Sequence, residues 1–325
     1  MIRWGVDGPG AIAVGFADAM RMVDDGEIVA VASRSAQRAN AFADRFGVQH
    51  RYGDYEALAA DPDVDVVYVA TTHGQHHEHA LLALRAGKPV LVEKAFTLNA
   101  RQAREVVAEA RSRRLFCMEA MWMRLNPLVR TARAVAESGR IGELISVRAD
   151  LSARFEYDPE HRLYDLAAGG GALLDLGIYP ATFTWLFLGR PDSVQAVGSL
   201  SPTGSDASVA VQWLYHDGRF AQIASTTLGQ NPLAGLIAGT EGWISVNGRV
   251  SRPTSITIHD TTGDEVLPDT LPGRGYGPEV AEVERCLRAG ELESPLVPLD
   301  ETVAILEVLD GVRAQLGVHY PADFQ

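Results

Sequence analysis

A short apolar run, Ile2–Val6, leads into Gly8-Pro9-Gly10-Ala11-Ile12-Ala13, and this junction constrains the fold more than any other stretch of the chain. The pattern fits G-x-G-x-x-G/A between a strand and a helix. There the first glycine makes a tight turn and the second lets backbone approach a pyrophosphate. The small third residue packs helix on strand, and the helix N-terminus faces the phosphates. Gly8, Gly10, Ala11 and Ile12 are therefore candidate phosphate-binding residues. Asp7 is out of place, because the end of a buried strand calls for an apolar residue.

Beyond this junction, apolar β-branched runs alternate with amphipathic stretches. The runs Ile2–Val6, Ile28–Ala32, Val64–Ala70, Val90–Glu93 and Leu115–Met118 predict strands. Ala11–Met22, Ala36–Phe46, His77–Ala86 and Ala100–Arg113 predict helices, the last with Asn99 as N-cap and Gln102 three residues on. Such alternation predicts a doubly wound parallel sheet covered on both faces, a Rossmann-type nucleotide-binding domain over residues 1–122.

Three further segments of this half carry chemistry. At the end of the second strand, where an acid would hold the ribose hydroxyls of NAD, the chain has Ser33-Arg34-Ser35, with Arg38 one helical turn on. Two guanidinium groups without an acid suit a 2′-phosphate, hence NADP. Thr71-Thr72-His73-Gly74-Gln75-His76-His77-Glu78-His79 is dense in histidine. No second ligand cluster completes a metal site, so Thr71, His73 and His76 are read as residues packing near the cofactor, and no metal is expected. Glu93-Lys94 ends an apolar strand at the carboxyl edge of the sheet, where ligands bind in open α/β folds. Lysine occurs only twice, at Lys88 and Lys94. Lys94 either pairs with Glu93 or reaches into a site.

Residues 123–325 read differently. Leu128–Ser138 predicts a helix stopped by Gly139. From Ile145 to Phe155 apolar and polar residues alternate strictly, the mark of a strand with one buried face. Val209–Tyr215 and Phe220–Thr226 flank His216-Asp217-Gly218-Arg219, a hairpin signal, and Asn247-Gly248 predicts a second hairpin. Helices follow at Glu279–Ala289 and Glu301–Leu316. The expectation is an α+β domain with a large, mostly antiparallel open sheet. Within it, Gly169-Gly170-Gly171 precedes a short helix carrying Asp175 and Tyr179, four residues apart and so on one face. Two readings fit: a carboxylate orienting a phenol for proton transfer, or a buried Asp capping a helix beside a packing Tyr.

The 325 residues suffice for two cores. A net charge of −13 argues against nucleic acid or an anionic membrane as partner. No apolar run is long enough to span a bilayer, and Cys117 and Cys286 read as buried thiols, so a cytoplasmic protein is expected.

Together these residues resemble the Gfo/Idh/MocA family of oxidoreductases, in the branch of dimeric dihydrodiol dehydrogenases and NADP-dependent xylose dehydrogenases. The resemblance rests on Trp4-Gly5 through Ala13, Ser33-Arg34 with Arg38, Ala86-Gly87-Lys88-Pro89-Val90 and Glu93-Lys94. It continues through Glu119-Ala120-Met121-Trp122-Met123-Arg124, His161-Arg162-Leu163-Tyr164-Asp165 and the run 169–179. It implies that Lys94 is the catalytic lysine, that Tyr179 and Asp175 complete the catalytic group, and that Arg34 and Arg38 contact a 2′-phosphate. Trp122, Arg124 and Arg162 would border the cleft, with His161 and Tyr164 beside the substrate. In oxidation Tyr179 would take the hydroxyl proton, Lys94 would bond the same oxygen and lower the phenol pKa, and Asp175 would orient the pair. The lysine and tyrosine roles could be exchanged. Where the family has proline after the lysine, this chain has Ala95. A small cyclic polyol, sugar or trans-dihydrodiol is the expected substrate, and a homodimer through the second-domain sheet the expected assembly. Two rivals within the resemblance are a cofactor-retaining glycosidase and a non-catalytic NADP-sensing regulator.

Overall fold

The computed structural model describes residues 1–23, 25–231 and 234–324. The chain forms two compact units, Met1–Trp122 with Leu271–Val303, and Met123–Thr270 with Ala304–Gln325.

The first unit opens with β1 (Ile2–Asp7), α1 (Ala11–Met20), β2 (Gly26–Ala32), α2 (Ala36–Phe46), β3 (His50–Tyr52) and α3 (Tyr55–Ala60). It continues with β4 (Val66–Val69), α4 (His73–Arg85), β5 (Val90–Glu93), α5 (Ala100–Arg113) and β6 (Cys117–Ala120). All paired strands run parallel, in the order β3-β2-β1-β4-β5-β6. The order reverses between β1 and β4, and the crevice at such a switch point is where ligands bind in doubly wound sheets. The central strands have no solvated face: all four residues of β4 and of β5 are buried, which explains their continuous apolar runs. Helix ends follow side-chain caps. Ser35, Asp54 and Asn99 accept from the amides of Arg38, Ala57 and Gln102.

The second unit contains α6 (Pro127–Glu137), β7 (Leu144–Asp150) and one π-type turn (Leu173–Gly177) running directly into α7 (Ile178–Leu188). Strands β8 (Ser193–Leu200), β9 (Asp206–Leu214), β10 (Phe220–Thr226), β11 (Ala234–Gly239), β12 (Trp243–Arg249), β13 (Arg252–Asp260) and β14 (Gly263–Pro268) complete its sheet. The order is β14-β13-β12-β11-β7-β10-β9-β8, antiparallel except for the β7–β10 pair. One face carries Val147, Ala149, Val209, Val211, Trp213, Ile223, Ile244 and Val246, all buried. The opposite face keeps Arg148, Ala210, Gln212 and Asn247 exposed.

Helix α8 (Gly277–Ala289) belongs to the first unit, as does the first turn of α9 (Leu299–Leu316). The sequence pattern assigns the whole of 123–325 to the second domain. The chain instead returns at Leu271, and a helix pattern alone does not say which core will bury it. Other expectations shift locally. Helix α4 starts at His73 rather than His77, because Thr72 already has extended backbone and ends the preceding loop. The pair β3 and α3 had no expected counterpart, being shorter than any periodic signal. The strand from Ile145 ends at Asp150, although the amides of Leu151, Ala153 and Phe155 still bond Ala224, Thr226 and Thr227. Asn247-Gly248 is not a hairpin turn. Gly248 has φ +82° and sits at a register shift inside the β12–β13 pair, so its positive φ serves a bulge. The reversal comes later, between Arg249 and Arg252.

Candidate functional site

In the first unit the glycine turn fits a dinucleotide. Gly8 has φ +91°, and a Cβ there would sit 2.8 Å from Thr71 Cγ2, so no larger residue fits. Gly10 is the N-cap of α1 and offers no side-chain cap, while Gly10 and Ala11 are exposed and Ile12 half-buried. The first amides of α1 are thus open to an anion. Ser33 is buried at the end of β2, its Oγ accepting the Ser35 amide at 3.2 Å. Arg34 and Arg38 are exposed beside it, and neither forms an ion pair with a described residue.

Asp7 finds its explanation here. Its Oδ2 lies 3.0 Å from His79 Nδ1, both side chains are buried, and Tyr55 packs on the His79 ring at 4.2 Å. Burial raises the Asp7 pKa and His79 opposes that rise. The other histidines also have assigned contacts. His73 Nε2 bonds the Lys94 carbonyl at 3.1 Å, and His76 places Nδ1 2.9 Å from the Ala95 carbonyl and Nε2 3.3 Å from that of Thr71, donating to one of the two. Burial lowers the His76 pKa to about 3, so it is a neutral ring at working pH. These rings fix the backbone around Lys94. The Lys94–Ala95 peptide is cis.

Glu93 turns inward from Lys94. Its carboxylate accepts from Tyr68 Oη at 2.5 Å and from the Lys94 amide at 3.2 Å, and burial raises its pKa to about 7. Glu119 is buried nearby, accepting from Phe96 N at 3.3 Å and Thr302 Oγ at 2.8 Å. Glu279 of α8 is fully buried, with neither carboxylate oxygen bonded to a described residue, and its pKa is raised well above the usual range by burial, then by Glu93 and Glu119. Trp122 lies 8% exposed with Tyr276 at 5.1 Å between ring centres. Sequence reasoning missed Tyr276 and Glu279; nothing in a lone helix pattern marks Glu279 as interior.

In the second unit the π-type turn carries Asp175 and leads straight into the helix carrying Tyr179. Turns of this kind recur at functional sites. Both residues are buried, at 6% exposure each. Arg162 grips Asp175 with Nη1–Oδ1 at 3.0 Å and Nη2–Oδ2 at 3.3 Å, a bidentate pair from a half-exposed arginine. Arg124 is 5% exposed. Tyr164 is 2% exposed and donates to the Phe155 carbonyl at 3.1 Å, so its hydroxyl is engaged with backbone. His161 packs on its ring and accepts the Leu163 amide through Nδ1.

Comparison with known proteins bears on the whole arrangement. Residues 2–121 match the oxidoreductase family with NAD-binding Rossmann fold, GFO/IDH/MocA, and residues 129–245 match the C-terminal domain of the same family. The chain is 38% identical to trans-1,2-dihydrobenzene-1,2-diol dehydrogenase of Bos taurus, over 99% of each chain. It is 37% identical to the Mus musculus protein of that name, again over 99% of each. Among solved structures it is similar to a 3-ketoreductase from Actinomadura kijaniata in complex with NADP and TDP-benzene. That likeness has a TM-score of 0.86 and 28% identity over 97% of both chains. The chain belongs to the GFO/IDH/MocA family of oxidoreductases.

Proposed function

We propose that this protein is an NADP(H)-dependent dehydrogenase acting on a secondary hydroxyl of a small cyclic polyol, sugar or trans-dihydrodiol. The observation that carries this reading is the full-length similarity to trans-1,2-dihydrobenzene-1,2-diol dehydrogenases, 38% identical over 99% of both chains in the Bos taurus case.

The bound dinucleotide supplies the hydride acceptor or donor. Backbone amides at Gly8, Gly10, Ala11 and Ile12 hold its pyrophosphate, and Ser33, Arg34 and Arg38 hold a 2′-phosphate. Charge-assisted bonds of about 1.5–3 kcal/mol each support roughly ten- to hundred-fold preference for NADP over NAD. Thr71, His73, His76 and Glu93 set the backbone around Lys94, and Trp122 and Arg124 complete the cofactor side. In oxidation Tyr179 accepts the proton of the substrate hydroxyl while Lys94 hydrogen-bonds the same oxygen. Asp175, gripped by Arg162, orients the tyrosine. That grip also favours a polyol over a hydroxy-acid substrate. A carboxylate clamp needs guanidinium groups in reserve, whereas Arg162 is already committed to Asp175. The exposed face of the second sheet, with Arg148, Gln212 and Gln222 around a depression of about 460 Å³, is the surface on which a second copy would pair.

The test is kcat/KM with NADP across xylose, glucose, a trans-dihydrodiol, myo-inositol and lactate. A cyclic diol or sugar should lead. Lactate leading the series would overturn the substrate class.

A further inference from the structure

The three consecutive glycines at 169–171 make room for two buried groups. A Cβ on Gly170 would lie 2.7 Å from the backbone of Leu163, and the Gly170 carbonyl accepts from the buried Tyr320 hydroxyl at 3.1 Å. Gly171 has φ +138°, and a Cβ there would lie 2.1 Å from Oδ1 of Asp206. Asp206 is the first residue of β9 and is 1% exposed. Its Oδ2 accepts the Leu173 amide at 2.6 Å, at the first residue of the π-type turn. Its Oδ1 has no hydrogen-bond partner among the described residues.

The surroundings are sparse in compensating charge. Arg313 of α9 is the cation that faces this region, and its guanidinium is bound by Asp323 and Asp310 and lies over the Tyr320 ring at 4.6 Å. Among the described residues, no cation bonds Asp206 directly. Backbone amides at the start of the turn therefore face the carboxylate, as at a helix N-cap, but from a distant strand. Asp175 lies two residues beyond Leu173 and Tyr179 six. Arg162, which grips Asp175, is carried by the same backbone that Gly170 must pass closely.

We infer that Asp206 is a positioning residue for proton transfer: its buried carboxylate holds the first turn of the Leu173–Tyr179 segment in register and so aims Asp175 and Tyr179. The inference rests on the roles proposed above for those two residues. Burial pushes the Asp206 pKa up to about 7, with the Leu173 amide opposing the rise. Protonation in the neutral range would weaken the acceptor, so the grip loosens as pH falls through that range.

The test pairs Asp206→Asn, which keeps shape and one acceptor, with Asp206→Ala. Hydrogen exchange over residues 169–188 is followed at pH 6 and pH 8, alongside kcat and KM and the binding of NADP. Exchange in this segment should rise at least about tenfold in Asp206→Ala, and kcat should fall roughly ten- to hundred-fold with NADP binding unchanged. Native kcat should drop between pH 8 and pH 6, and Asp206→Asn should lose most of that drop. Native-like exchange in Asp206→Ala overturns the inference, as does faster exchange with native kcat and an unaltered pH profile. A native protein inactive on every substrate would count against the dehydrogenase reading instead, while the exchange of 173–179 still decides whether Asp206 holds the segment.

Discussion

Lys94 and Tyr179 differ in how much of their setting a sequence can reveal. Lys94 stands at the end of an apolar strand, one of two lysines in the chain, and both facts are plain from the order of residues alone. The rings that fix its backbone, His73 and His76, lie 21 and 19 residues upstream of the Lys94 and Ala95 carbonyls that they bond, and only the fold brings them together. Asp7 makes the same point more sharply, since its partner His79 lies 72 residues away. If Lys94 and Tyr179 act as one proton-handling unit, Lys94→Ala and Tyr179→Phe should each cost about 3–5 kcal/mol in transition-state stabilisation. The double variant should lose much less than the sum. The measurement is kcat/KM for all three variants with NADP affinity as control. Native turnover in Tyr179→Phe would reduce that residue to packing.

At the level of elements, period and punctuation revealed most of the fold. The continuous apolar runs of β4 and β5 belong to strands buried on both faces, and the alternation from Ile145 belongs to a strand with one open face. What stayed hidden were β3 and α3, too short for a period, and the true place of Asn247-Gly248, where a bulge and a turn demand the same positive φ. Helix α8 hid the most. Its pattern reads as one solvated and one buried stripe, yet Glu279, Glu282 and Glu284 are all buried. Glu279 leads to a stability prediction. Its folded pKa is raised well above its ordinary value of 4.5, so the stability it contributes is complete below about pH 4.5 and is lost as pH rises through the folded pKa. Glu93, raised to about 7, acts in the same direction between about pH 4.5 and 7. His76, lowered to about 3, opposes this below about pH 6.5, so the thermal midpoint should fall most clearly as pH goes from 6.5 to 8. Glu279→Gln should flatten that slope and raise the midpoint at pH 8, by roughly 1–2 °C per kcal/mol recovered. A lower midpoint with an unchanged slope would mean that Glu279 is ionised and satisfied in the native state.

For the whole molecule, the chain's route between units was the least legible property. It leaves the first unit after Trp122 and returns at Leu271, and nothing local in the sequence announces the return. The exposed face of the eight-stranded sheet carries the prediction at this scale. Large apolar side chains, Val197, Trp243 and Val266, are exposed at 70%, 47% and 60% on its strands. A pairing surface should give the mass of two chains in sedimentation, and Val197→Glu should shift that mass toward one. A single-chain mass at all working concentrations would remove the pairing proposal without touching the chemistry.

The central claim is net transfer of hydride between substrate and exchangeable NADP, which also separates a dehydrogenase from a glycosidase that keeps its cofactor and from a sensor. The direct measurement follows NADPH absorbance when purified protein meets excess NADP and a trans-dihydrodiol, with product quantified in the same tube. Many turnovers per chain are expected, with one NADPH for each diol oxidised and a rate with NAD at least about tenfold lower at equal subsaturating cofactor. Absence of NADPH formation with any cyclic diol or sugar, in protein that binds NADP, would contradict it.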